Sequence, residues 1–187
     1  TDKTREIAIK YADIFFDFVW INDFAKARNA VMDKCTGKWY LTIDADEYLS
    51  PDIDELVNFL TNKISDTMKQ ATFVIRNHFE KNMDGVYSDF NAMRMCRMDT
   101  NTRYTGAIHE HFDQPITYDD IYILSKTLFH HDGYAYISKE HKENKEARNL
   151  SLLEKKLAAD PDELRVILQC LESSASNGEK RRYYTKY

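Results

Sequence analysis

The run Trp39-Tyr-Leu-Thr-Ile43 passes directly into Asp44-Ala-Asp46-Glu47, three acids in four positions. A short stretch of this character, bounded at once by charge, is a buried strand that ends at a surface. Its neighbours make it part of an α/β domain. Asp23 can cap a helix running to about Cys35, which Gly37 then ends. Ser50-Pro51 opens the next helix, with Ser as N-cap and Pro in the first turn. Its apolar positions Ile53, Leu56, Val57, Leu60 and Ile64 fall at helical spacing. Upstream, residues 4–12 read as a short helix. Residues 13–20, with Ile14-Phe-Phe16 and Phe18-Val-Trp20, suit a buried strand. Strand, helix, strand, helix in this order predicts an α/β fold with parallel strands.

Further strands are expected at residues 72–77, 92–98, 104–112 and 121–129, the middle two around a turn at residues 99–101. The character changes after Tyr134. Residues 138–159 form a long polar helix with Ala147, Leu150, Leu153 and Leu157 along one side, ended by Asp160-Pro161. Residues 164–175 and 179–187 read as a helical hairpin about Asn177-Gly178. The chain thus divides into an α/β domain, residues 1–137, and a helical extension, residues 138–187. The extension reads equally as the start of a tetratricopeptide-like array or as a two-helix cap.

Composition narrows the function. The 187 residues suit one domain with a small appendage, and 43% apolar residues supply a core. The net charge of −5 is spread without a basic stripe, which removes electrostatic support for nucleic-acid binding. A phosphate-bearing ligand therefore needs a local cation. No apolar run approaches the ~18 residues of a membrane span. Cys35, Cys96 and Cys170 are widely spaced and form no zinc pattern, so a reducing, cytoplasmic setting is expected.

Four clusters carry chemistry. Asp44 and Asp46, at a strand end, sit where α/β sheets bind ligands. As i and i+2 residues they can converge on one hard cation, Mg²⁺ or Mn²⁺, completed by substrate phosphates. The bland alternative is a solvated acidic turn. An EF-hand is excluded because its sixth position is Leu49 rather than Gly and Pro51 interrupts the loop. A phosphohydrolase needs a later acidic pair after a strand, whereas Asp119-Asp120 precede one. Arg28-Asn29 lie on the helix leading into the strand, and Arg suits a bidentate grip on phosphate. His109-Glu110-His111 could supply a general base. His130-His131, before Asp132-Gly133-Tyr134, ends an apolar strand where a histidine can complete a metal shell. His78 and His141 have no surrounding pattern.

Taken in order, several stretches resemble the family 2 glycosyltransferases, in the bacterial branch often followed by tetratricopeptide repeats. They are Thr1-Asp-Lys-Thr4, residues 20–29, residues 37–46, Gly106-Ala-Ile-His-Glu110, His131-Asp-Gly-Tyr134, and Arg148-Asn-Leu-Ser-Leu-Leu-Glu154 with Asp160-Pro161. The resemblance implies a GT-A fold, a mixed sheet flanked by helices, with a metal-dependent sugar-transfer site. It implies Asp44 facing the sugar and ribose, Asp46 on the metal with His131 nearby, and Glu110 as catalytic base. Asp2, Arg28, Asn29 and His109 would belong to the nucleotide-sugar site. The donor would be a nucleotide diphospho-sugar, UDP-linked. The acceptor would be a glycan, a lipid-linked molecule or a protein, as in cell-envelope biosynthesis. The family's first strands, with their Asn-Glu motif, would precede Thr1, so the chain is expected to be an N-terminally truncated piece. Two other readings stay open at this point: a non-catalytic scaffold of the same fold, and a metal-dependent phosphohydrolase.

Overall fold

The computed structural model describes residues 3–79, 85–135, 138–161 and 163–173. Five helices and seven strands follow in the order α1 (Thr4–Tyr11), α2 (Phe24–Met32), β1 (Trp39–Leu41), β2 (Glu47–Leu49), α3 (Asp54–Thr61), β3 (Gln70–His78), β4 (Tyr87–Arg97), β5 (Tyr104–Thr105), β6 (His111–Phe112), β7 (Ile121–His131), α4 (Lys139–Ala159) and α5 (Leu164–Ser173). Strands β1-β4-β3-β7-β2 make one mixed sheet, and β5-β6 make a two-stranded ribbon. With helices on both faces, this is a GT-A-like α/β architecture.

Alternation along the strands builds the layers. On β3, Ala71, Phe73 and Ile75 turn inward and meet Leu56 and Phe59 of α3, with Met95, Leu124 and Phe129. On β1, Trp39 and Leu41 join that core, while Tyr40 between them faces the other way. There it meets Ala25 and Met32 of α2, Cys96, Tyr104 and Phe112. A third core joins Leu152, Leu153 and Leu157 of α4 to Val166, Ile167 and Cys170 of α5, with Ile108 inserted and Phe24 packed against it.

Several expectations change. The sheet is not all-parallel: β3 and β7 run parallel, while β1–β4, β3–β4 and β2–β7 are antiparallel. β3 and β4 are close in sequence and pair along their whole lengths, an arrangement that only antiparallel strands reach with a short link. Residues 13–20 form no strand, because no described strand lies beside them to satisfy their backbone, and Ile14, Val19 and Trp20 are exposed. Helix α3 begins at Asp54 rather than Ser50. Residues 47–49 are taken by β2, whose pairing with β7 extends to Ser50 N donating to Leu128 O (2.8 Å). Of its expected apolar face only Leu56 is buried, joined by Phe59. The expected strand at 104–112 is broken in two. Gly106 (φ 95°) and His109 (φ 52°) adopt left-handed backbone, so the chain loops out between β5 and β6.

Asp23 caps α2 as expected, accepting from Lys26 N at 2.9 Å. Ser138 caps α4 by accepting from His141 N (3.2 Å). Asp2 and the expected helix at 179–187 lie outside the described residues. No described helix is long and apolar enough to cross a membrane.

Candidate active site

A cavity of about 950 Å³ is lined by Arg28, Asp44, Asp46, His109, Glu110 and His131, with Phe24, Ala27, Ile108 and Gly133. Six residues expected from the sequence thus meet in one place. Its remaining wall is α4, through His141, Asn144, Lys145, Arg148 and Asn149.

The acidic cluster is not on a strand. β1 ends at Leu41 and β2 starts at Glu47, so Asp44 and Asp46 lie in the link between, turned by Glu47 N donating to Asp44 O at 3.0 Å. The same-side rule for strands no longer applies, and the two carboxylates find different partners. Asp44 accepts from Arg28 Nη2 (3.0 Å) and Arg94 Nη1 (3.3 Å). Asp46 Oδ2 lies 3.2 Å from His131 Nε2. Glu47, the third acid, is buried: it pairs with Arg94 Nη2 and accepts from Asp44 N at 3.0 Å. It holds the turn instead of lining the cavity.

The Asp46–His131 pair is aligned by the sheet. Register places Glu47 opposite His131, and Asp132 N donates to Asp46 O at 3.1 Å. His131 Nδ1 lies 2.7 Å from Asn77 Oδ1. With Nδ1 engaged by Asn77, Nε2 is the ring nitrogen that faces Asp46, where a proton or a cation can bridge the two. Gly133 leaves room for this approach: a Cβ there would sit 2.3 Å from Asp46 Oδ2 and 2.9 Å from His131 Nε2. One carboxylate and one imidazole form an incomplete shell, and no three His, Cys, Asp or Glu side chains converge on a metal position among the described residues. A divalent ion held by these two would need phosphate oxygens and water to complete its shell.

Arg28 is the hub of the other half. Its Nε donates to Glu110 Oε1 (2.5 Å), Nη1 to Thr42 Oγ1 (2.6 Å) and Nη2 to Asp44. Burial works against its charge, but Asp44 and Glu110 outweigh that and hold the guanidinium above its ordinary pKa. It is a permanent cation. Glu110 follows the left-handed His109 on the loop between β5 and β6, and that loop is pinned at both sides. Ala107 O accepts from Phe24 N (2.9 Å), and Ile108 is buried among the leucines of α4 and Val166 and Ile167 of α5. Asn29 does not line the cavity. Its amide exchanges two 2.9 Å bonds with the backbone of Tyr104, clamping β5 to α2. Asp120 accepts from Thr117 N (2.8 Å) and pairs with Lys69, so the later acidic pair is elsewhere.

Sequence comparison decides the family. The model of "Glycosyl transferase family 2" matches residues 1–140. The chain belongs to glycosyl transferase family 2. It is also similar to "SPbeta prophage-derived glycosyltransferase SunS" of Bacillus subtilis (strain 168), at 27% identity over 166 residues, covering 84% of this chain and 35% of that protein. "Glycosyltransferase SunS" of Bacillus phage SPbeta matches to the same extent. The chain spans about a third of the length of these curated relatives. The matched family region takes in Arg28, the acidic turn, the Glu110 loop and His131, and ends at the first residues of α4.

Sequence reasoning counted Glu47 in the acidic cluster without a role of its own and missed Arg94 and Asn77; the three hold the site from the turn, β4 and β3. Of the α4 residues it quoted Arg148-Asn149 only within the family resemblance and gave none a place in the site. Asn77 and Arg94 gave no local signal, since single polar residues on strands are ordinary. On α4, His141, Asn144, Lys145, Arg148 and Asn149 recur at helical spacing, a polar stripe visible in the sequence.

Proposed function

We propose that this domain is a metal-dependent, inverting glycosyltransferase that moves a sugar from a UDP-linked donor to an acceptor hydroxyl. One observation carries the reading. Arg28, Asp44, His109 and Glu110 line not only the cavity that holds Asp46 and His131 but also a neighbouring one of about 710 Å³. That second cavity includes Phe90, Tyr104, Phe112 and Gln114. A two-substrate transfer needs adjoining donor and acceptor spaces with a base at their junction. Glu110 occupies that junction.

Asp46 and His131 would hold the metal, and an imidazole in the set favours Mn²⁺ over Mg²⁺. Bound there, the ion would offset charge developing on the leaving diphosphate. Asp44, fixed between Arg28 and Arg94, presents a carboxylate to the sugar and ribose. Arg28 orients Glu110 through one oxygen and leaves the other for the acceptor. Glu110 takes the hydroxyl proton while the acceptor oxygen attacks the anomeric carbon. The bond to the diphosphate breaks on the opposite face, UDP departs, and the anomeric centre inverts through an oxocarbenium-like transition state.

The test is UDP release from a panel of UDP-sugars with Mn²⁺ and a set of glycan, lipid-linked and peptide acceptors. Glu110→Gln should cut transfer by about 10²–10⁴-fold while donor affinity stays the same. Full transfer by Glu110→Gln would remove Glu110 from the base role. Phosphate release from simple esters without an acceptor would favour a phosphohydrolase instead.

A further inference from the structure

Lys145 and Arg148 lie on α4 just beyond the family-matched region. They project from α4 into the cavity that holds Asp46 and His131. Elsewhere on this helix Lys139 faces Glu143 at 3.9 Å, Lys142 faces Glu146 at 4.0 Å, and Lys156 pairs with Glu163. Lys145 and Arg148 have no carboxylate partner among the described residues. Arg148 donates to Asn149 Oδ1 (3.0 and 3.2 Å), a neutral acceptor that leaves its charge uncompensated. Aromatic rings hold both cations toward the site. Arg148 lies over the Phe24 ring at 5.1 Å and Lys145 over the Tyr134 ring at 5.4 Å. Tyr134 in turn stacks edge-on against His131, 5.1 Å between centroids.

Charge balance says what such a wall is for. Of the cavity's other cations, Arg28 is committed to Asp44 and Glu110. One divalent ion less the Asp46 carboxylate leaves little positive charge for two phosphoryl groups. We propose, building on the transferase reading, that Lys145 and Arg148 grip the diphosphate of the nucleotide donor, and of the nucleoside diphosphate that leaves, from the α4 side. Asn144 and Asn149 line the cavity on the same face of α4. Discrimination between a diphosphate and a monophosphate then resides in α4, outside the acidic turn.

The experiment is calorimetric titration of the full 187-residue chain with UDP and with UMP, each with Mn²⁺. Variants are Lys145→Gln, Arg148→Gln and the charge-keeping Lys145→Arg and Arg148→Lys. Both side chains are exposed, and unchanged thermal melting would verify that each variant folds. The wild type should prefer UDP to UMP. Each Gln variant should lose about 10-fold of that preference, roughly one charge-assisted contact, and the charge-keeping variants should retain most of it. Gln variants with an undiminished UDP-to-UMP ratio would overturn the α4 assignment and leave the transferase reading standing. A wild type that binds neither UDP nor UMP would overturn the transferase reading, and this proposal with it.

Discussion

Asp44, Asp46 and Glu47 show how three acids of one turn take three jobs according to their neighbours. Asp44 lies between two guanidinium groups, Asp46 meets an imidazole across a glycine-sized gap, and Glu47 is buried against Arg94. Removing a partner from a buried ion pair strands the other charge, which costs about 3–5 kcal/mol. Arg94 keeps Asp44 as a partner, so Glu47→Ala should lower unfolding free energy by less than that, about 1–3 kcal/mol, in urea titrations. A loss below about 1 kcal/mol would mean that Arg94 is solvated and the turn is held otherwise. The sequence made the acidic turn conspicuous but could not divide the roles. Division depends on Arg94 and His131, which arrive from strands far along the chain.

Among the elements, the β3–β7 pairing is interrupted. Phe73 pairs with Leu124, yet Val74 pairs with Leu128, so residues 125–127 bulge out. Glu55 of α3 caps that bulge, accepting from the N–H groups of Ser125 (3.2 Å), Lys126 (2.7 Å) and Thr127 (2.9 Å). Burial raises its pKa, but these backbone donors outweigh burial and hold it below the usual glutamate range. A depressed folded-state pKa stabilises above the unfolded value, about 4.3, and that contribution is lost as pH falls through the lower folded value. Glu55→Gln should thus cost about 1–3 kcal/mol at pH 7, with the gap to wild type closing below about pH 4. A gap constant from pH 7 to pH 3 would contradict the capping role. Element type was legible wherever periodicity was strong: α2, β1, β3, β7 and α4 stand close to their expected places. Strand direction was not legible, because it depends on which edge each strand finds. The run at 13–20 shows the same limit, since apolar character makes a strand only where a partner is present. The broken 104–112 segment turned on two left-handed residues, and only Gly106 announced itself.

In the whole molecule, the C-terminal helices share a core with the site. Ile108, two residues before Glu110, is buried against Leu152, Leu153 and Leu157 of α4. Leu153→Ala should cost about 2–5 kcal/mol, in a single transition seen alike by tryptophan fluorescence and far-UV circular dichroism. Two separated transitions would show the helices to be an independent unit, as the division at residue 137 anticipates. The transfer mechanism proposed here requires Asp46 and His131 to hold a divalent ion for a diphosphate. The most direct measurement is calorimetry of Mn²⁺ into the protein saturated with UDP. Wild type should bind one equivalent, Gly133→Ala should bind more weakly because its Cβ crowds both ligands, and Asp46→Ala should show no Mn²⁺ binding. Mn²⁺ binding by Asp46→Ala with wild-type affinity would remove Asp46 from the metal site.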